Sequence, residues 1–388
     1  MIQSYFADLH IHVGRDIYGK PVKITGSKSL TLTNILKESS RNKGIHMVGV
    51  IDCHAPAVLV ELMQALEAGL AFELSEGGIQ FENVTLLLGS EIEVYDHYSK
   101  GPIHVLCFFP SIARMQEFSV WLSTKMKNIT LSSQRYYGGG KELQYKTKEL
   151  DGLFIPAHVF TPFKSMYGKG VLSSMAEVFD PDLIDGIELG LSADTKMADQ
   201  IEELHQYTFL TNSDAHSLPK IAREYQEIIM KKPTFKELNW ALHHVKGRGF
   251  LRNYGMNPYL GKYHQTVCNV CFHSAKERET CPSCGSAKIV KGVADRIGEL
   301  ANATGSPLSR PPYVYQVPLE YLPSLGPKTF QKLLDKFGTE MNIIHKANFE
   351  ALIEIVPENL ARSIILMREG KLSVTAGGGG KYGRIDLS

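Results

Sequence analysis

Nothing in the 388-residue sequence approaches the run of ~20 apolar residues that a bilayer-spanning helix needs. The N-terminus, MIQSYFADLHIH, lacks a basic stretch, an apolar core and a cleavage site, so no secretory leader is expected. Cysteine is scarce, six residues in all, which excludes a disulfide-stapled scaffold. Net charge is also small, +1 overall, and hydrophobic residues at 43% against 21% charged exclude a disordered chain. These absences leave a cytoplasmic globular protein, long enough for two or three domains.

The small net charge hides an asymmetry. Residues 1–247 hold 24 basic against 29 acidic side chains, whereas residues 248–388 hold 18 against 12. An acidic front suits cations, and a basic rear suits polyanions. Across the first 220 residues, seven short apolar runs (SYFADLHIH, HMVGVIDCH, VTLLLGSEIEV, IHVLCFF, GLFIPAH, DGIELG and TFLTNSDAH) alternate with helical spacing, as over 57–74 and 111–127. This alternation predicts an α/β fold whose parallel strands form a barrel of seven units. Four segments follow: a barrel over 1–250, a cysteine-bearing element over 251–305, a helical region over 306–375 and a flexible glycine-rich tail over 376–388.

The chemistry-bearing residues fall at or near the ends of those runs. Asp8, His10 and His12 close the first; Asp52 and His54 close the second. Glu91 and Glu93 lie late in the third, His104 in the fourth, His158 ends the fifth, Glu188 lies in the sixth, and Asp214 and His216 end the seventh. In a parallel α/β barrel those ends share one rim, so residues spread over two hundred positions are expected to converge. Imidazoles and carboxylates together suit zinc, manganese or magnesium, and so many ligands exceed one tetrahedral ion; two or three divalent ions are expected. Such a cluster activates a water for attack on a phosphoester and holds the leaving oxygen.

The same residues carry a family resemblance. Asp8-Leu9-His10-x-His12, Asp52 with His54, Glu91, His104, His158 and Asp214-x-His216 resemble the motifs of the polymerase and histidinol phosphatase (PHP) superfamily. The resemblance covers residues 1 to about 225. It implies a distorted seven-stranded (β/α) barrel with a trinuclear metal site and phosphoesterase activity, with Asp214, His12 and Glu91 as the expected catalytic members. The second motif departs from the usual Thr-Asp-His, reading Ile51-Asp52-Cys53-His54, so either Asp52 or His54 is the ligand. A further ligand is implied shortly after the first motif, where Asp16 stands.

Cys268-x-x-Cys271 and Cys281-x-x-Cys284 have the spacing of one structural zinc ion held by four thiolates, with His264 and His273 as flanking alternatives. Residues 323–338 resemble a helix-hairpin-helix element. Gly326 would open a helix whose free amides bind a DNA phosphate, with Lys328 and Lys332 adding charge; 355–370 would be a degenerate partner. The order of barrel, four-cysteine element and helical region resembles the endonuclease Q family of DNA repair enzymes. That resemblance implies nicking on the 5′ side of uracil, hypoxanthine, xanthine and abasic sites by metal-activated hydroxide attack. It also implies a nucleoid-associated location, and a sliding clamp is a possible partner. Tyr136, Tyr137, Gly139, Phe160, Phe163 and Tyr167 are the expected base-binding material. The competing reading is a small-molecule phosphoesterase of the histidinol phosphatase type with a structural or oligomerising rear.

Overall fold

A computed structural model describes residues 1–261, 263–275, 279–305, 310–375 and 384–386. Its strands are β1 (Gln3–Ile11), β2 (Met47–Val50), β3 (Phe72–Glu73), β4 (Ile79–Phe81), β5 (Val84–Val94), β6 (Ile103–Phe109), β7 (Arg135–Tyr136) and β8 (Leu153–Pro156). They continue as β9 (Ile187–Glu188), β10 (Phe209–Leu210), β11 (Tyr225–Met230), β12 (Gly249–Gly255), β13 (Val267–Cys268), β14 (Ile289–Val290) and β15 (Tyr313–Tyr315). The fold is mixed α/β. Helices Pro56–Glu67, Ile112–Ser123 and Gly140–Glu149 lie between the strands of the front. The helix expected over 57–74 stops at Glu67, because Gly69 turns left-handed (φ 67°) and residues 72–81 form the β3–β4 hairpin instead.

β1, β2 and β5 are parallel neighbours. The expectation of parallel strands throughout fails at β6, which runs antiparallel to both β5 and β8. Only residues 95–102 join β5 to β6, too few for a helical crossover, so the chain turns straight back. This reversal explains why His104 sits near the beginning of its strand while the other candidates sit near the ends of theirs. Beyond β8, Asp185 N and Val159 N donate to Phe154 O and Glu188 O, each at 3.0 Å, tying β8 to β9; β9 and β10 pair in parallel. His12 N donates to Ala215 O and Ala215 N to His10 O, each at 3.1 Å, which returns the succession of strands to β1.

β5 is buried along nearly its whole length, so both its faces are covered and no alternation marks them in the sequence. One face (Leu87, with Leu106 and Phe108 of β6) meets Ala7, Leu9, Ile155 and Leu210 in an inner core, closed below by Phe235 and Leu238. The other face (Leu86, Leu88, Ile92) packs outward with Val105 and Phe109. The register of β1 on β2 shifts between Asp8 and Ile11, and such an irregularity re-aims the side chains beyond it.

The expected boundary at 250/251 is crossed by β12, which pairs with β11 and then accepts β15 as a parallel outer neighbour. The segment 323–338, expected as a helix-hairpin-helix element, and 355–370, its expected partner, each hold one α-helix, Pro327–Phe337 and Glu358–Arg368. Hairpins form one level up, with Glu340–His345 beside the first helix and Phe349–Ile353 beside the second. This region rests on the front: the His345 ring stacks on Phe6 at 4.5 Å, its Nε2 is 2.6 Å from Tyr225 OH, and Lys43 pairs with Glu340 at 2.7 Å. Of the tail expected to be flexible, Arg384–Asp386 pairs with Ser373–Thr375; residues 376–383 and 387–388 lie outside the described residues.

Candidate active site

Where β1, β5, β6 and the ends of β8 and β10 meet, two groups of ligand-type side chains face each other. His10, His12 and Asp214 offer donor atoms within 4.8 Å of one another, as do Glu91, His104 and His158. Glu91 also links the groups: its Oε1 lies 3.4 Å from Nε2 of both His10 and His158, and its Oε2 is 3.7 Å from His12 Nε2. Asp214 Oδ1 lies 3.3 Å from His12 Nε2 and 3.5 Å from His10 Nε2.

The outer nitrogens are held by other residues. His10 Nδ1 meets both oxygens of Glu188 at 3.0 and 3.1 Å, and Glu188 is itself fixed by Asn212 Nδ2 at 2.8 Å. His12 Nδ1 meets Asp52 Oδ2 at 3.2 Å and Ser132 Oγ at 3.1 Å. The inner nitrogens, Nε2 of His10 and His12, are buried without a hydrogen-bond partner; His104 instead turns Nδ1 to Glu91 Oε1 at 2.9 Å, with its Nε2 3.7 Å from Glu93 Oε2. Buried imidazole nitrogens left unpaired while their opposite nitrogens are oriented by carboxylates fit divalent metal ions. Burial raises the Asp214 and Glu91 carboxyls, but the surrounding charges, His10 and His12 for Asp214 and His104 and Lys23 for Glu91, outweigh it and hold both well below the usual range.

Asp214 and His158 hold left-handed backbone, at φ 47° and 31°, a strain that marks functional positions when the surroundings enforce it. Here they do. Asp8 accepts from Ser213 N at 3.1 Å and Ala222 N at 2.8 Å, and Arg223 Nε donates to Ser213 O at 2.7 Å. The His158 amide donates to Glu188 Oε2 at 2.8 Å.

Four expected ligands, Asp52, His54, Asp16 and His216, fall outside the two groups. Asp52 orients His12 and accepts from Val13 N at 2.7 Å. Both nitrogens of His54 are engaged, Nδ1 with Ser90 Oγ at 2.8 Å and Nε2 with Leu131 O at 3.4 Å. Asp16 accepts from the amides of Tyr18 and Lys20, both at 2.9 Å, and so builds a turn. His216 lies at the rim, its ring 4.6 Å from that of His12 and its Nδ1 2.9 Å from Asp214 O. Ser132, Ser133, Lys23 and Arg223 enter the site without any motif to signal them; Ser133 donates to Glu91, and Lys23 Nζ lies 3.4 Å from Glu91 Oε2.

Two adjoining cavities, sharing part of their lining, lie at these groups. One of about 500 Å³ is lined by Glu91, His104, Asp214, Lys23, Lys164 and Phe163. The other, about 340 Å³, adds Glu188, Asn212, Lys220, Arg223 and Tyr321; His158, Thr161, Ser192, Asp214 and Tyr263 belong to both. Of the expected base-binding residues, Phe163 alone lines either of these two cavities. Tyr136, Phe160 and Tyr167 are buried: Tyr136 donates to Glu142 at 2.7 Å, and Tyr167 stacks on Phe160 and donates to Glu203. Tyr137 is exposed outside both cavities, with Arg135 and Lys127 beside its ring, and a side chain at Gly139 would meet open space.

Away from the mouth, Cys268, Cys271, Cys281 and Cys284 form a third group of ligand type, with Sγ separations of 3.6 Å (Cys268–Cys284) and 3.4 Å (Cys271–Cys281). Among the described residues neither His264 nor His273 joins it. Gly326 precedes the first turn of helix Pro327–Phe337, and Lys328 and Lys332 are exposed on it.

An α/β framework that closes a ring of ionised carboxylates and half-unpaired imidazoles around one mouth defines a metal-dependent phosphoesterase. The lesion-specific endonuclease Q of Pyrococcus furiosus matches over 99% of this chain and 95% of its own, at 32% identity and a TM-score of 0.85. An endonuclease Q in complex with a 27-mer duplex carrying an abasic lesion at its active site matches at 31% identity and the same TM-score, covering 100% of this chain and 97% of that one. The chain belongs to the endonuclease Q family. The uncharacterized Bacillus subtilis protein YqxK is 52% identical over 385 residues, 99% of this chain and 100% of its own. No protein-family model matches the chain.

Proposed function

We propose that the protein is a DNA repair endonuclease that nicks the phosphodiester 5′ to a deaminated base or an abasic site, leaving a 3′-hydroxyl and a 5′-phosphate. The observation that carries this reading is the coupling of two ligand groups through Glu91 at a mouth flanked by two adjoining cavities, in a chain similar along its whole length to an endonuclease bound to lesion DNA.

His10, His12 and Asp214 hold one part of the metal site, and Glu91, His104 and His158 the other. Bound divalent ions supply an activated water and counter the charge on the departing oxygen. Glu188 and Asp52 keep the imidazoles of His10 and His12 turned inward. Lys23 and Lys164, on the wall of the larger cavity, present positive charge to the phosphate oxygens. The smaller cavity receives the extruded nucleotide. Deamination replaces an amine with a carbonyl, and the donor-only side chains of Lys220 and Arg223 favour the carbonyl. On this reading the ring of strands from β1 to β10 is the distorted seven-stranded barrel of the PHP superfamily. The four cysteines hold one structural zinc ion, and the C-terminal hairpins are helix-hairpin-helix modules whose opening at Gly326 meets the phosphate backbone.

The test is incubation with end-labelled duplexes carrying one uracil, hypoxanthine, xanthine or abasic site, beside an undamaged control, with and without chelator. Metal-dependent cleavage one phosphate 5′ to each lesion, with the control intact, is the expected result. Equal cleavage of the control, or none of any duplex, refutes the reading.

A further inference from the structure

Asp16, once removed from the metal site, has another role. Between Arg15 and Pro21, which form an antiparallel bridge, the chain makes a tight finger: Asp16 N donates to Lys20 O at 3.0 Å and Gly19 N to Asp16 O at 2.9 Å. The Asp16 carboxylate fastens the inside of the turn through the amides of Tyr18 and Lys20, and Gly19 supplies the left-handed residue it needs (φ 73°). The tip is apolar and faces solvent, with Tyr18 65% and Ile17 36% exposed. Residues 13–30 hold Arg15, Lys20, Lys23 and Lys28 against Asp16 as their lone acid.

The root of the finger is the metal site itself. It follows β1 with His12 at its base, and Lys23 N donates to Val13 O at 2.8 Å on its return. The returning arm, Lys23, Ile24 and Thr25, then forms a wall of the larger cavity, with Ile24 67% exposed. A stiff turn holding an aromatic ring out into water beside a catalytic mouth, on a cationic segment, has the features of a side chain that enters a base stack.

Resting on the DNA reading above, we propose that the Arg15–Pro21 finger is a wedge: Tyr18 enters the duplex beside the damaged nucleotide and occupies the space that nucleotide leaves. Extrusion of a base from a duplex costs stacking and pairing, and an inserted apolar or aromatic side chain offsets part of that cost. The wedge therefore matters for a paired lesion and is dispensable for one already unpaired.

The test compares single-turnover nicking by wild type, Tyr18→Ala and Tyr18→Phe on one lesion in two settings, a fully paired duplex and a bubble of mismatches. Tyr18 is exposed, so these variants should melt with the wild type. Loss of one stacked aromatic should slow Tyr18→Ala about tenfold or more on the duplex, with bubble nicking unchanged and Tyr18→Phe close to wild type on both. If Tyr18→Ala matches wild type on both substrates, or is slowed equally on both, the wedge is overturned and the endonuclease reading stands. If wild type nicks neither substrate, the endonuclease reading fails and the wedge falls with it.

Discussion

Glu224, the residue before β11, is fully buried; its Oε1 accepts from Met256 N at 2.8 Å, and its Oε2 has no partner. Burial pushes its carboxyl up to about 8, against about 4.3 for an ordinary glutamate. Below pH 4 it is protonated in both folded and unfolded chains and costs nothing. Between pH 4 and 8 the unfolded chain releases this proton and the folded chain keeps it, so stability falls as pH rises across that window. Glu224→Gln retains the acceptor for Met256 and removes the titration. It should raise the melting temperature clearly at pH 7.5 and little at pH 4.5; equal shifts at both would contradict the assignment. A second residue-scale expectation separates Asp52 from its neighbour. Because Asp52 orients His12, Asp52→Asn should weaken metal retention at the candidate site ~10–100-fold, measured by metal analysis after graded chelation, while His54→Gln should leave it nearly unchanged. On the proposed reading, Asp214→Asn should cut nicking at least about a hundredfold and keep lesion-DNA binding in a gel-shift assay, since it would remove a metal ligand rather than the DNA groove. The sequence made His10, His12, Glu91, His104, His158 and Asp214 legible because each stands near the mouth end of its strand. It could not divide Asp52 from His54, since that choice depends on hydrogen bonds to Ser90 and Leu131, which no spacing encodes.

Among the elements, the strands and their order along the chain were readable, but direction was not. The run IHVLCFF has the same composition whether it runs up or down, and the short link before it is what reverses β6. Helix ends were displaced for a similar reason: apolar spacing continues past Glu67 into β3, and Gly69 alone marks the stop. The C-terminal helices show how single side chains lock elements together. Arg368, at the end of helix Glu358–Arg368, donates to the carbonyls of Ile344 (2.5 Å), Ala347 (2.5 Å) and Ile343 (3.3 Å), closing the C-terminus of helix Glu340–His345. The carbonyls of Ile343 and Ile344 stand in the last turn, where no partner inside the helix is left, Ala347 lies just beyond its cap, and a cation there also complements the dipole. Arg368→Ala should therefore cost about 1–3 kcal/mol of stability, read by denaturant unfolding, without changing metal binding at the candidate active site. The cysteine element should behave in the opposite way. Cys268→Ser should release one tightly held zinc ion and increase proteolysis within 256–300, because four ligands close the shell and three do not.

At the scale of the whole molecule, the acidic front and basic rear are not independent parts: His345, Glu340, Arg310 and Tyr321 all bear on the front or its cavities. If the rear meets DNA phosphates, affinity for a lesion duplex should fall steeply with salt. Each phosphate neutralised contributes ~0.9 to the slope of log affinity against log salt, so a slope of about −3 or steeper is expected by fluorescence anisotropy. A flat response would leave the basic excess without a role in binding. The placement of β15 also bears on how the chain is made. β12 is the last strand of the front to be synthesised, and its outer edge stays bare until residues 313–315 have been added. While the cysteine element is still emerging from the ribosome, that edge presents a row of unsatisfied amides and carbonyls, the kind that recruits strands from other copies. A chain halted between 256 and 312 would hold the strands that carry the candidate ligands while the edge at Asn253–Gly255 stays open, so completing the rear should protect the front from edge-to-edge association.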